Sequence, residues 1–393
     1  MRILHFYKTY WPDTFGGIER AIHAIARGAA NYGIKSDVLS LSRNPENATI
    51  EFGGHMAYKS KLDFEFASTG FSREVITHFR ELASKADIIH YHFPWPMMDI
   101  VHLTSPPGKP TVVTYHSDIV KQKFLLRIYT ILMHRFLSSV DRIVATSPRY
   151  IETSLVLQRY KSKTTVIPLG LDEADYPPST LEEKETWRSR FPRPFFLFVG
   201  VLRYYKGLHI LLEAAARIDS DVVIVGNGPM EKDLKRRTAT LGLKNVHFVG
   251  ALSDREKTAL LEQCSAFVFP SNRRSEAFGL SLVEAAMFGK PMITCEIGTG
   301  TSFVNLEGET GLVVKANDVQ ALADAINRLA HETIESERFG KAARRRFEET
   351  FSGTIMGRAY AEMYREMMSG GKPGELTMPA DGHLSRQQRL AST

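Results

Sequence analysis

The stretch A-F-V-F-P-S-N-R-R-S-E-A-F-G-L-S-L-V-E-A-A-M-F-G-K-P-M-I-T, Ala266–Thr294, reads as strand, loop, helix and strand in turn. Ala266–Phe269 and Met292–Thr294 are short apolar runs, and the helix between them is long enough to carry one strand back beside the other. Between Glu276 and Lys290 the only charged residue is Glu284, set among Leu280, Leu282, Val283, Ala285, Ala286, Met287 and Phe288. A helix that is apolar on most sides is buried. A carboxylate inside it costs several kcal/mol, in order of magnitude, unless something compensates it. Either it pairs with a cation or it faces a polar ligand, and a ligand explains more of the pattern.

The same alternation extends outward in both directions. Strands are expected at Ile3–Phe6, Ser36–Ser40, Asp87–Tyr91, Thr111–Tyr115, Arg142–Ala145 and Thr165–Ile167. A second series follows at Phe195–Val199, Val222–Val225, Val246–Val249, Ala266–Phe269, Met292–Thr294 and Gly311–Val314. Helical patterns lie between most of them, which predicts parallel sheets built from right-handed βαβ units. Turn and linker chemistry interrupts the series at 170–194, where Tyr176-Pro-Pro178 and Arg190-Phe-Pro-Arg-Pro194 flank a charged segment. The expected architecture is two doubly wound α/β domains facing a central cleft. Residues 1–178 form the first and 190–350 the second, with six strands each. Helices are expected at Val319–Ala330 and Glu337–Glu349. One at 352–368 crosses back to the first domain, and the tail 369–393 is read as disordered.

Composition excludes several classes. The 393 residues are 43% apolar and 24% charged, ordinary for a folded chain of two domains. Cys264 and Cys295 give no disulfide framework, which fits a reducing cytoplasm. The opening apolar run breaks at Lys8, too early for a signal peptide, and no segment is apolar enough to span a bilayer. The net charge of +6 is uneven, with Lys121, Lys123, Arg127, Arg135, Arg142 and Arg149 opposed by Asp141 alone. Residues 121–137 therefore read as a basic amphipathic helix. It is either a core helix with a solvated face or a contact, within 121–149, for anionic lipid at the inner face of the cytoplasmic membrane. No nucleic-acid motif accompanies the charge.

Ligands of open α/β sheets bind beyond the carboxyl ends of the strands, so the residues there are the candidates. After the first strand come Gly16 and Gly17 at the start of a helix, where bare backbone N–H groups and the helix dipole suit an anion. A plain turn is the alternative. After Phe195–Val199 come Arg203 and Lys206, a planar fork and a mobile point charge matched to a diphosphate. Gly226-Asn-Gly-Pro229 is another tight turn, but it lacks the third glycine of a dinucleotide fingerprint. Glu276 precedes the helix that carries Glu284. Eight residues at 100° each put the two well apart around the axis, so they address opposite ends of an extended ligand. Phe278, Gly279, Leu280 and Ser281 offer backbone donors between them. His116 follows the strand Thr111–Tyr115. Asp219-Ser-Asp221 precedes its strand and is a turn on the side away from the cleft, and no Cys/His cluster suggests zinc.

Taken together, Gly16-Gly17, His116, Arg203-x-x-Lys206-Gly207, Gly226-Asn-Gly-Pro229 and Glu276-x-Phe278-Gly279-Leu280-x-x-x-Glu284 resemble the retaining GT-B glycosyltransferases of family four, over nearly the whole chain. The resemblance implies that Arg203 and Lys206 bind the donor diphosphate, Glu284 the ribose, and Glu276 the donor sugar beside His116. Leu280 and Ser281 would offer N–H groups to phosphate. It implies no metal or other cofactor, and front-face attack in which a donor phosphate oxygen takes the proton. Leu4–Glu19 and Cys295–Asn305 look like bacterial polysaccharide mannosyltransferases. The expected donor is therefore GDP-mannose, or GDP-rhamnose in relatives, and the expected acceptor a lipid-linked saccharide of lipopolysaccharide O-antigen or exopolysaccharide. Gly298-Thr-Gly-Thr-Ser departs from the family's Gly-Gly-x-x-Glu, so the 296–302 loop is given no role. A UDP-sugar transferase, a nucleotide-sugar 2-epimerase and a non-catalytic sugar-nucleotide binder are the rivals. The epimerase would act without an acceptor, and the binder would show no donor hydrolysis.

Overall fold

The computed structural model describes residues 1–45, 48–66, 69–119 and 123–371, with the backbone alone for 123–128. Two sheets dominate it. The first contains β1 (Arg2–Phe6), β2 (Lys35–Ser42), β3 (Thr49–Phe52), β4 (His55–Lys61), β7 (Ile88–Phe93), β8 (Thr111–Tyr115), β9 (Arg142–Ala145) and β10 (Thr164–Val166). Their order is β10-β9-β8-β7-β1-β2-β4-β3. A short hairpin, β5 (Phe64–Phe66) and β6 (Thr69–Phe71), stands apart. The second sheet, ordered β13-β12-β11-β14-β15-β16, contains β11 (Phe195–Val199), β12 (Asp221–Val225), β13 (Val246–Gly250), β14 (Ala266–Phe269), β15 (Met292–Glu296) and β16 (Gly311–Lys315). All its pairings are parallel. Runs such as F-F-L-F-V in β11 and A-F-V-F in β14 are buried throughout, as parallel strands covered on both faces must be.

All twelve expected strands are present, but the first sheet has eight strands rather than six. The additions, β3 and β4, form an antiparallel hairpin on Gly53 and Gly54, both at positive φ, and β4 extends the sheet beside β2. Their Gly-Gly between two β-prone runs is a legible hairpin signal. The expected Glu337–Glu349 helix instead runs from Thr333 to Arg346 and widens into a π turn at Phe347–Phe351.

The chain crosses between the lobes twice at one place. Leu171 N donates to Phe351 O (2.9 Å) and Gly353 N to Leu171 O (2.7 Å). The returning helix Gly353–Met368 then packs against the opening helix Gly17–Ala30. Glycines permit this approach: a Cβ on Gly357 would lie 2.2 Å from the carbonyl carbon of Gly28. Met356, Tyr360, Ala361 and Tyr364 of that helix share one apolar cluster with Ile3 and Ile25 of the first lobe and with the core of the second. Residues 372–393, part of the tail read as disordered, lie outside the described residues.

Candidate functional site

In each sheet the strand order reverses at one point. In the second sheet β11 and β14 adjoin there, so the loops after them, 200–207 and 270–279, open side by side into the cleft. Gly207, at φ +66°, makes that closeness possible. Its backbone passes so near Pro270 that a Cβ would sit 1.9 Å from the Pro270 carbonyl oxygen. Asn272 N donates to Tyr205 O (3.0 Å), and the Tyr204 and Ser275 hydroxyls bond at 3.2 Å.

This packing brings together Lys206 and Glu276, which the sequence had assigned separately. Both are buried, and Lys206 Nζ lies 2.5 Å from Glu276 Oε2. The Ser271 hydroxyl donates to the same oxygen (3.1 Å), and the Lys206 ammonium sits 4.5 Å above the Phe269 ring centroid. Arg203 is exposed. Phe278 is buried against Phe351. Gly279, at φ +90°, opens the helix Leu280–Met287, so the N–H groups of Leu280 and Ser281 lie at its positive end.

Glu284 requires a correction. It is buried, but cations compensate it rather than a ligand alone. Tyr176 Oη (2.7 Å), Lys257 Nζ (2.9 Å) and Arg20 Nη1 (3.2 Å) all donate to its Oε1. Arg20 and Lys257 also bond Asp254 Oδ1, at 3.1 and 2.8 Å. Burial alone would raise the Glu284 pKa, but Lys257, Arg20 and the hydroxyl of Tyr176 outweigh it and hold the pKa below the ordinary glutamate value. These partners come from three distant segments, so no local spacing announces them.

In the first lobe the crevice lies beyond β1 and β7. The loop after β1 is fastened by Glu19, whose Oε1 accepts from the hydroxyls of Thr9 and Thr14 (both 2.8 Å). Gly16 caps the opening helix and Gly17 begins it, with open space where a side chain would be. Lys8, in the loop after β1, was overlooked in the sequence. Its pKa is lowered by burial, against Glu19 and with the help of Arg203, which places it within electrostatic reach of the opposite lobe. Its place two residues past a strand end was the available signal.

His116 follows β8 as expected but is buried. Its Nε2 bonds His92 Nδ1 (2.9 Å), and His92 Nε2 bonds His5 Nδ1 (3.0 Å). His90 stacks on His92 and bonds the hydroxyls of Tyr364 and Thr114 (both 2.7 Å). Burial lowers His5 and His116 to pKa values of about 3, and His90 and His92 well below the usual histidine value. The chain is therefore neutral at physiological pH. His5, His90 and His92 bring nitrogens within 4.8 Å of one another, a grouping the sequence did not reveal. Every ring nitrogen of the three except His5 Nε2 already has a hydrogen-bond partner.

Gly226-Asn-Gly-Pro229 packs closely on the loop after β11. A Cβ on Gly226 would lie 2.1 Å from Gly200 O, and one on Gly228 2.6 Å from Leu202 N. Asp221 begins β12 at the sheet edge away from the cleft and pairs with Arg193 (2.6 Å). The 296–302 loop supports the motif beside it, since Gly300 N donates to Ala277 O (2.7 Å). Of the basic segment, Lys121 and the side chains of 123–128 lie outside the described residues. Farther along the helix Lys123–Ser139, Met133, Phe136 and Leu137 are buried, while Ile131 and Arg135 are exposed.

Two facing Rossmann-like lobes with cations and two helix N-termini along one cleft define a GT-B glycosyltransferase. Residues 15–175 match Glycosyltransferase Family 4, and residues 180–346 match Glycosyl transferases group 1. The chain belongs to the family-four glycosyltransferases. It is 52% identical to the D-rhamnosyltransferase WbpZ of Pseudomonas aeruginosa, over 90% of this chain and 92% of that protein. It is 48% identical to the O-antigen chain mannosyltransferase C of Escherichia coli, over 94% and 99%. Among solved structures, sucrose-phosphate synthase from Thermosynechococcus elongatus superposes with a TM-score of 0.79 at 21% identity, covering 94% of this chain and all of that one. The fold and the enzyme class expected from the sequence stand. Among the described residues no helix is long and apolar enough to cross a membrane.

Proposed function

We propose that this enzyme transfers mannose from GDP-mannose, with retention, to a sugar hydroxyl of a lipid-linked oligosaccharide in O-antigen or exopolysaccharide synthesis. The observation that carries the reading is the meeting of Lys206 and Glu276 between the two switch-point loops, with Arg203 and two helix N-termini around the same gap. In the proposed reaction negative charge develops on the leaving diphosphate. Arg203, Lys206 and the N–H groups of Gly17, Leu280 and Ser281 stabilise it, while a donor phosphate oxygen takes the acceptor proton. Glu276 and His116 address the hexose, and Glu284 the ribose. With this preorganised positive field no metal is needed, so a chelator should leave turnover unchanged.

The 52% identity to a D-rhamnosyltransferase favours a second reading, transfer from GDP-D-rhamnose. The two sugars differ by one hydroxyl at C6. Thermal stabilisation by GDP-mannose, GDP-rhamnose, UDP-glucose and UDP-GlcNAc, followed by relative kcat/KM for the donors that bind, separates the readings. Stabilisation by UDP-sugars alone, or by none of the four, would overturn both.

A lipid-linked acceptor would bring the enzyme to the inner face of the cytoplasmic membrane. Exposed Ile131 beside exposed Arg135 supports the basic helix as the contact. Pelleting with anionic vesicles should then weaken steeply as salt rises, and salt-independent or absent pelleting removes the contact.

A further inference from the structure

We infer that Asp118 and Arg274 are positioning residues, a bridge across the cleft that fixes the spacing between His116 and Glu276; the inference rests on the glycosyl-transfer reading above. Each lies two residues from one of those candidates, Asp118 beyond His116 and Arg274 before Glu276. Arg274 Nη2 donates to Asp118 Oδ2 (3.0 Å), joining the loop after β8 in the first lobe to the loop after β14 in the second.

Both ends are built for the contact. Asp118 Oδ1 accepts from the hydroxyls of Tyr115 (2.9 Å) and Ser154 (2.7 Å), and Asp118 N donates to Tyr150 Oη (2.5 Å). The first lobe thus holds one carboxylate oxygen and presents the other. The Arg274 guanidinium lies 5.4 Å from the Tyr150 ring centroid, and its Nη1 donates to Gly298 O (2.7 Å). Thr153 Oγ1 donates to the same carbonyl across the cleft (2.5 Å). Gly298 is at φ +67°, and a Cβ there would come within 3.1 Å of Arg274 Nη1. The carbonyl of Gly298 thus completes the socket.

A half-buried ion pair of this kind, still in reach of solvent, contributes only modestly to stability. Here the planar fork serves two acceptors from two nitrogens held at a fixed spacing, Nη1 for Gly298 O and Nη2 for Asp118, a geometry that the single ammonium nitrogen of a lysine does not reproduce. Its effect falls on geometry, because an attack distance set by two loops on separate lobes is lost when the lobes drift apart by an ångström.

The test uses the full chain with Asp118→Asn, Arg274→Gln, Arg274→Lys and the double variant Asp118→Asn/Arg274→Gln. Each neutralising single variant should lose kcat on the order of 10- to 100-fold, while affinity for GDP and KM for the donor stay within about threefold. The double variant should lose no more than the worse single, and Arg274→Lys should fall between it and the unaltered protein. An unchanged kcat in either single, losses that multiply in the double, or an equal loss of GDP affinity would overturn the assignment. Spin labels on the two lobes give a readout free of turnover, and their separation should broaden in Asp118→Asn. An unchanged distribution refutes the bridge even if the proposed donor is wrong, whereas failure of every nucleotide sugar refutes the donor reading alone.

Discussion

Lys206 Nζ and Glu276 Oε2 meet at 2.5 Å, so the group proposed to hold the diphosphate and the group proposed to meet the sugar compensate each other before any donor arrives. An ammonium and a carboxylate buried together are costly to part, because removing one strands the other. On the proposed roles, a donor phosphate that recruited Lys206 would loosen Glu276 at the same moment and so couple diphosphate binding to sugar placement.

Lys206→Met and Glu276→Gln should therefore each destabilise the fold by about 1–3 kcal/mol, and the double variant should regain most of that loss. All three should lose transfer activity by about 100-fold or more. Denaturant unfolding beside kcat measurement separates the effects. A double variant as unstable as the two losses added would show that the pair is not coupled.

Glu284 makes stability depend on acid. Its folded pKa is depressed, so it stabilises the native state above the unfolded glutamate value of about 4.3, and that contribution is lost as pH falls through the lower folded value. Glu284→Gln should cost stability at pH 7, where Lys257 and Arg20 are left with Asp254 as their shared counter-charge. The deficit should shrink as pH falls below about 4. Unfolding midpoints across pH for both proteins check it, and a deficit constant down to pH 3 would contradict the pairing.

What the chain disclosed in advance follows from the range over which each interaction acts. Apolar runs such as F-F-L-F-V and D-V-V-I-V are local, so both sheets and the returning helix were legible. Loops that follow the strand ends were legible as candidates too, because the fold sends them to the cleft, although Lys8 in the first of them was passed over. Hidden from the sequence were pairings made by the fold itself. Glu284 looked lonely because Arg20, Tyr176 and Lys257 come from the opening helix, the crossover and the helix after β13. Likewise His5 on β1, His90 and His92 on β7, and His116 just past β8 become a chain only when those three strands lie side by side.

That histidine chain predicts a second pH effect. Burial keeps these rings neutral in the native state, while the unfolded chain takes up protons below about pH 6.5. A histidine with a lowered folded pKa stabilises fully above the unfolded value of about 6.5 and less as pH falls from there toward the folded value, by roughly 1.4 kcal/mol per pH unit for each ring. His5→Gln should flatten the slope of unfolding free energy between pH 6 and 4.5 by about one ring's share. The pH profile of kcat should show no limb near 6.5 from His116, since that ring titrates at about 3. A limb there that vanished in His116→Gln would place a protonated imidazole in the mechanism instead.

The last test concerns the strap between lobes. Gly357 faces Gly28 backbone to backbone, and any Cβ on it would stand 2.2 Å from the Gly28 carbonyl carbon and 2.3 Å from its oxygen. Neither contact can be relieved by a side-chain rotation, so the returning helix must lift off the opening helix. The opening helix begins at Gly17 and carries Arg20, the group that bonds Glu284 from across the cleft. Gly357→Ala should therefore cost about 1–3 kcal/mol of stability and also weaken GDP binding, although the substitution is remote from the cleft. Gly17→Ala, which meets open space, should leave stability nearly unchanged and serves as the control for an added methyl group. If Gly357→Ala unfolds and binds GDP as the unaltered protein does, the helix contact does not hold the lobes in register.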